Sequence, residues 1–168
     1  MGAGPSEAYA FVIQKHWASR LHYDFRLELD GAMKSWVLPK GPSYDPAAKR
    51  MAIQVEDHPM AYNRFEGQIP QGQYGAGTVI IWDEGSWTPV GDPHEGYRSG
   101  RLKFDLQGFK MHGRWMLIRI RRWKADQQQP WLLVKQRDSY ARSEHEFSVV
   151  EKMPDSIRRY RGARRAAA

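Results

Sequence analysis

The sequence predicts an all-β protein: a closed or nearly closed antiparallel β-barrel with long loops and little helix. Three observations carry this. Short runs of alternating polar and apolar residues recur along the 168-residue chain, which is the pattern of half-buried strands. Clusters of Gly and Pro separate these runs, as turns require. No stretch sustains the 3.6-residue apolar period of a long helix. So many short strands would leave unpaired edges in an open sheet, and closure removes them.

The elements follow in order. Residues 1–10 begin small and polar and are expected to be disordered. Phe11 to Gln14 and Leu21 to Leu29 read as strands, the second turned back at Asp30-Gly31, where Gly accepts positive φ. Ser35 to Leu38 is a return strand ended by Pro39. Lys40 to Lys49 is a loop, and Met51 to Val55 a short strand that Glu56-Asp57-His58-Pro59 leaves. Tyr62 to Tyr74 is irregular. Thr78 to Trp82 and Ser86 to Thr88 are strand-like and joined by Asp83-Glu84-Gly85. Val90 to Gly100 is a loop. Leu102 to Leu106, Lys110 to His112, Arg114 to Arg121 and Trp131 to Lys135 complete the strands, with a turn of helix expected around Tyr140 to Glu144. Residues 11–155 form the expected barrel, and 156–168 a basic tail or linker.

Composition narrows the chemistry. With 41% hydrophobic residues and 7 Trp, the chain has enough apolar surface for a packed core. There is no cysteine, so a metal must use imidazole, carboxylate, carbonyl or water. No apolar run approaches a membrane span and no signal peptide is evident, so a cytoplasmic protein without membrane contact is expected. The net charge of +7 suits a polyanionic partner such as nucleic acid. Five arginines between 156 and 168 supply most of that charge, so the local clusters matter more than the total.

The densest chemistry lies from His16 to Glu28. On a strand from Leu21 to Leu29, His22, Asp24, Arg26 and Glu28 share one face, while Tyr23, Phe25, Leu27 and Leu29 share the other and enter the core. The polar face carries two candidate metal ligands followed by a guanidinium fork for phosphate. His16 adds a third ligand if the chain bends. The alternative is an ordinary solvated face of an antiparallel sheet. Gly72 to Gly77 is either a phosphate cradle or, better, turn geometry before a strand. His94 and His112 lack partners at ligand spacing and read as surface or structural residues. Trp36, Trp82, Trp87, Trp115 and Trp131 belong to the core. Trp17 either stacks on a base or packs. Arg119, Arg121, Arg122 and Lys124 either contact a duplex backbone or form a solvated face.

Three blocks in order extend this reading: Phe11-Val12-Ile13-Gln14-Lys15-His16 through His22-Tyr23-Asp24-Phe25-Arg26; Trp36-Val37-Leu38-Pro39-Lys40-Gly41-Pro42-Ser43; and Val55-Glu56-Asp57-His58-Pro59 with Phe65-Glu66-Gly67-Gln68-Ile69-Pro70 and Tyr74-Gly75-Ala76-Gly77-Thr78-Val79. Gly113-Arg114-Trp115 and Trp131-Leu132-Leu133-Val134-Lys135 also fit. Over nearly its whole length the chain resembles the 3′-phosphoesterase domain of DNA ligase D. The resemblance implies a β-barrel enzyme, dependent on Mn²⁺ or another divalent transition metal, that heals DNA 3′ ends for double-strand break repair. It removes a terminal ribonucleoside and then the 3′-phosphate, leaving a 3′-hydroxyl. The family's metal ligands fall on His16, His22 and Asp24. Its phosphate contacts fall on Arg26 and His58, and a functional tyrosine on Tyr62. Gln14, Lys40, Arg50 and Glu56 match further positions tied to activity. The implied partners are DNA 3′ ends at primer–template junctions and ligase and polymerase modules of the same or another chain, and a monomer is expected. Family members often carry an N-terminal arm that aids the diester step; residues 1–10 do not align with it, so either the protein is trimmed or diester cleavage is weaker, and diester cleavage is expected to be slower than monoester cleavage. A non-catalytic DNA-binding module assisting a ligase and an RNA 3′-phosphoesterase are the competing functions.

Overall fold

A computed structural model describes residues 9–121, 124 and 127–159. Most of the expected N-terminal segment, the stretch beyond Arg159 and Arg122 of the basic cluster lie outside the described residues.

Among these residues the chain forms β1 (Tyr9–Trp17), β2 (Leu21–Leu29), β3 (Ala32–Leu38), β4 (Arg50–His58), β5 (Gly67–Ile69), β6 (Gly77–Pro89), β7 (Arg101–Gly108), β8 (His112–Arg119) and β9 (Pro130–Lys135). The strands run in the order β1-β2-β3-β4-β9-β8-β7-β6 with every neighbour antiparallel, and β6 pairs back to β1 from Tyr9↔Trp87 to Trp17↔Thr78. That pairing closes an eight-stranded barrel, as the turn-rich alternation predicts. The short β5 adds to the start of β6.

The interior is aromatic. Phe11, Phe25, Trp36, Trp82, Trp87, Phe104, Trp115 and Trp131 are all fully buried in one cluster with Leu27, Leu106, Leu117 and Leu133. Burying a side chain such as Phe25 contributes about 1.5–3 kcal/mol. Each end of the barrel is plugged. At one end a short helix, α1 (Pro93–Ser99), brings Tyr97 against Trp36 and Trp131. At the other, the C-terminal segment with α2 (Val149–Lys152) packs Val149 and Met153 on the core, and Met153 accepts from Trp82 Nε1 at 2.7 Å. Ile157 continues this segment, fully buried beside Val12, Met33 and Ile81 on the outer side of the wall.

Three elements depart from the sequence expectation; one is the strand expected at Lys110 to His112, of which only His112 lies in a strand, at the start of β8. The strands expected on either side of Asp83-Glu84-Gly85 are one 13-residue strand, β6. Asp83 is buried and its carboxylate accepts the backbone N–H groups of Phe109, Lys110 and Met111. Gly85 is needed there for close approach, since a Cβ would lie 2.0 Å from the Gln107 carbonyl oxygen. Helix occurs at 93–99 and 149–152 and not around Tyr140 to Glu144. The signals for α1 were present: Asp92 caps the N–H groups of His94 and Glu95, Pro93 follows it, and Gly100 ends the helix at φ 81°. No helix of the described residues is long and apolar enough to cross a membrane.

Candidate active site

Alternation along β1 and β2 decides where the polar residues go. Phe11, Ile13, Tyr23, Phe25 and Leu27 face the barrel core, so Gln14, His16, His22, Asp24 and Arg26 face outward from the wall. Antiparallel register sets His16 opposite His22 and Gln14 opposite Asp24. The outer wall is not left to solvent. A 3₁₀ turn (Met60–Arg64), β5 and the loop before β6 fold across it, so Gln14, His16, Asp24 and Arg26 are all buried although they lie outside the barrel.

The two histidines and the aspartate converge. His16 Nδ1 lies 3.6 Å and His22 Nε2 lies 3.4 Å from Asp24 Oδ2, and one donor atom from each residue falls within 4.8 Å of the others. Donors bound at about 2.0–2.2 Å to one ion stand roughly 3–3.5 Å apart, so the two distances to Asp24 are close to those of ligands on one cation. The tautomers fit too. His16 Nε2 meets the Gly75 carbonyl at 2.8 Å and His22 Nδ1 meets the Arg20 carbonyl at 3.2 Å. A carbonyl only accepts, so those nitrogens carry protons, and His16 Nδ1 and His22 Nε2 face Asp24: each offers a cation a lone pair when the ring is neutral and offers the carboxylate a hydrogen bond when the ring is protonated. Burial works against the Asp24 anion, but the hydrogen bonds of His16 and His22 and the Arg26 charge hold its carboxyl well below the usual range. The bond to Asp24 in turn raises the pKa of His22.

Arg26 is built in beside them. Its Nε donates to Gln14 Oε1 at 2.8 Å and its Nη1 to Ser35 Oγ at 2.9 Å, while Nη2 stands 3.8 Å from Asp24. Gln14 Nε2 donates to the carbonyls of Tyr62 and Phe65, tying the wall to the covering turn. The Tyr62 ring lies under the guanidinium at 5.1 Å and beside His58 at 5.3 Å. His58 Nδ1 donates to the Glu56 carbonyl at 3.0 Å, which leaves Nε2 as its free ring atom. Burial first, and then the Arg26 charge, lower the pKa of His58. Burial raises that of Tyr62.

These groups share one cavity of about 900 Å³, lined by His16, His22, Asp24, Arg26, Glu56, His58 and Tyr62. Lys40 and Arg50 do not line it. Lys40 is exposed in the turn after β3, and Arg50, at the far end of β4 from His58, pairs with Glu144 at 3.3 Å. Gln14 acts from behind Arg26. The sequence reading missed Ser35, which no motif marked, and the lip residues Gln71 and Tyr74. The Gly72–Gly77 segment is a wall of this cavity through Gly75. His94 pairs with Asp30 on the surface and His112 stacks on Tyr140, both away from the site. Arg119 lies over the Trp131 ring at 5.5 Å and donates to the Arg98 carbonyl, which fixes the end of α1.

Comparison with known proteins agrees with this architecture. Residues 14–119 match the family model described as the DNA Ligase D 3′-phosphoesterase domain. The chain is 58% identical over 147 residues to the multifunctional non-homologous end joining protein LigD of Pseudomonas aeruginosa, covering 88% of this chain and 17% of that protein. It is 48% identical over 120 residues to the multifunctional non-homologous end joining DNA repair protein LigD of Mycobacterium tuberculosis, covering 68% and 15%. It is 35% identical over 159 residues to the protein of the first name from Mycolicibacterium smegmatis, covering 90% and 20%. The chain thus spans a fifth or less of the length of these curated relatives. With a family model across most of the barrel and relatives matched over most of the chain, this protein belongs to the DNA ligase D 3′-phosphoesterase domain family.

Proposed function

We propose that this chain is an Mn²⁺-dependent phosphoesterase that removes a 3′-phosphate, and a 3′-terminal ribonucleoside before it, from DNA ends. The observation that carries this reading is the meeting of His16, His22 and Asp24 within 4.8 Å, in one cavity with Arg26 and His58. Two imidazoles and a carboxylate with no thiolate suit Mn²⁺, and other divalent transition metals are substitutes. When bound, the ion supplies Lewis-acid polarisation of a phosphate oxygen and a water of lowered pKa.

The chain's own residues do the rest. Arg26, held by Gln14 and Ser35, presents its remaining N–H groups to two non-bridging oxygens of the phosphate. Tyr62, kept protonated by burial, donates to the same group. Phosphate charge offsets that of Arg26, the second of the two influences that lower the His58 pKa, and so favours a protonated ring with substrate bound. Water attacks phosphorus, the bond to the 3′ oxygen breaks, and His58 delivers its proton to that oxygen. The products are inorganic phosphate and a 3′-hydroxyl. Glu56 holds the His58 ring through its carbonyl. The reading assigns Lys40 and Arg50 no contact with the phosphate. It places the chain in the cytoplasm, as a monomer or as one module beside ligase and polymerase modules, acting on primer–template ends in double-strand break repair. The test is a labelled primer–template ending in 3′-phosphate, incubated with and without Mn²⁺. Release of phosphate only with the metal supports the reading; no release in either condition refutes it.

A further inference from the structure

The lip of the cavity carries an aromatic side chain that the described chain leaves uncovered. Tyr74 is 101% exposed, whereas the other described tyrosines are partly or wholly packed apart from Tyr140 at 49%. A lone exposed aromatic needs no explanation in general. The setting of this one is specific. Tyr74 stands between Gly72 (φ 88°) and Gly75 (φ 77°), two positions in the left-handed region that L side chains rarely adopt. The loop is fastened at Gly75, whose carbonyl accepts from the metal-ligand candidate His16. It is fastened again at Gly77, where a Cβ would lie 1.9 Å from the Trp17 carbonyl oxygen. Tyr74 is therefore one residue from the contact that orients His16, and Trp17 is one residue from it on the other strand. Both line the cavity, and Trp17 remains 39% exposed with the Lys15 ammonium 4.8 Å from its ring centre.

We propose that Tyr74, with Trp17 lining the same cavity, is the stacking platform for the nucleobase at the 3′ end of the substrate strand. The inference rests on the function proposed above and names what recognises the substrate beyond its phosphate. A His₂Asp site and an arginine fork would fit any phosphate monoester. A nucleotide differs by its base, whose flat face an exposed aromatic ring can cover without reading sequence. Sequence tolerance is what an enzyme acting on broken ends needs.

The test uses two primer–templates ending in 3′-phosphate, one with a normal terminal nucleotide and one whose terminal nucleotide lacks its base. Equilibrium binding and phosphate release are measured for the wild-type protein and for Tyr74→Ala, Tyr74→Phe and Trp17→Ala. Tyr74 makes no packing contact that its removal would break, so the fold survives. Tyr74→Ala is expected to weaken binding of the normal primer about tenfold or more, the size of one lost base stack. It should raise KM by a similar factor with kcat little changed, and Tyr74→Phe should restore both. On the abasic primer, wild type and Tyr74→Ala should bind alike. Equal binding of the normal primer by wild type and Tyr74→Ala, or an equal loss on both primers, overturns the platform. Tyr74-dependent binding without phosphate release would leave the platform standing and refute the proposed reaction instead.

Discussion

Arg26 and Gln14 form one buried unit: the Arg26 Nε–H donates to Gln14 Oε1 at 2.8 Å, and both side chains are almost wholly inaccessible. The same amide donates to the carbonyls of Tyr62 and Phe65. One glutamine thus fixes the guanidinium on the barrel wall and the covering turn above it. Gln14→Ala should lower kcat/KM for phosphate release by about 10- to 100-fold, since a hydrogen bond to a charged group is worth about 1.5–3 kcal/mol. Mn²⁺ affinity, followed by calorimetry, should stay the same. A parallel loss of metal affinity would mean that Gln14 supports the ligand set and not the phosphate grip.

Asp24 is the point where His16, His22 and Arg26 meet, at 3.6, 3.4 and 3.8 Å. Asp24→Ala and His22→Ala should each abolish Mn²⁺ binding and turnover. A ligand that binds only the folded state adds about 2.7 kcal/mol at a hundred times its Kd. Mn²⁺ should therefore raise the melting temperature of the wild-type protein by several degrees and leave both variants unmoved. Stabilisation of Asp24→Ala by Mn²⁺ would contradict the ligand assignment.

Arg26 is the phosphate fork in the proposed reaction, and its neighbours hold it as a planar group. Gln14 and Ser35 bind Nε and Nη1, and Tyr62 lies against its face. A lysine has one point charge and cannot make these contacts together. Arg26→Lys should bind Mn²⁺ normally yet lose about 100-fold or more in kcat/KM, measured as phosphate release. Retention of most of the activity would show that charge alone suffices.

Much of the site was legible because strand alternation is a local property. The run from Leu21 to Leu29 tells which residues share a face without any knowledge of the fold, and β2 has the bounds the alternation gave. Register is not local. The pairing of His16 with His22 follows from a tight hairpin, so it could be anticipated, but the placing of His58 beside Arg26 depends on β4, the 3₁₀ turn and the fold of the loop over the outer wall. Ser35 and Gly75 act through a hydroxyl and a backbone carbonyl, groups too common to stand out in sequence. Asp83-Glu84-Gly85 misled for the opposite reason. Its residues suit a turn, yet a buried carboxylate satisfying three backbone donors keeps the strand continuous through them.

That carboxylate gives a last prediction, on stability. Burial pushes the Asp83 carboxyl up to about 6, against the lowering effect of its backbone hydrogen bonds. A group whose pKa is raised by folding favours the folded state while protonated. Its contribution is present below about pH 4 and lost as pH rises through 6. Lys110 is the reverse case. Its ammonium donates to the carbonyls of Met153 and Asp155 in the segment that plugs the barrel, and burial lowers its pKa to about 8. Folding therefore binds fewer protons than the unfolded chain between about pH 8 and 10.5, and this group adds stability as pH rises through that window. Urea melts at fixed ionic strength should show stability contributed by Asp83 falling from pH 4 to 6 and by Lys110 rising above 8. Tyrosines titrate near the upper window, so the Lys110 effect is read as the difference between wild type and Lys110→Met. That difference should grow in favour of the wild-type protein as pH rises from 8 to 10.5. A difference that stays constant across the window would show that Lys110 keeps an ordinary pKa and that the plug does not withhold it from water.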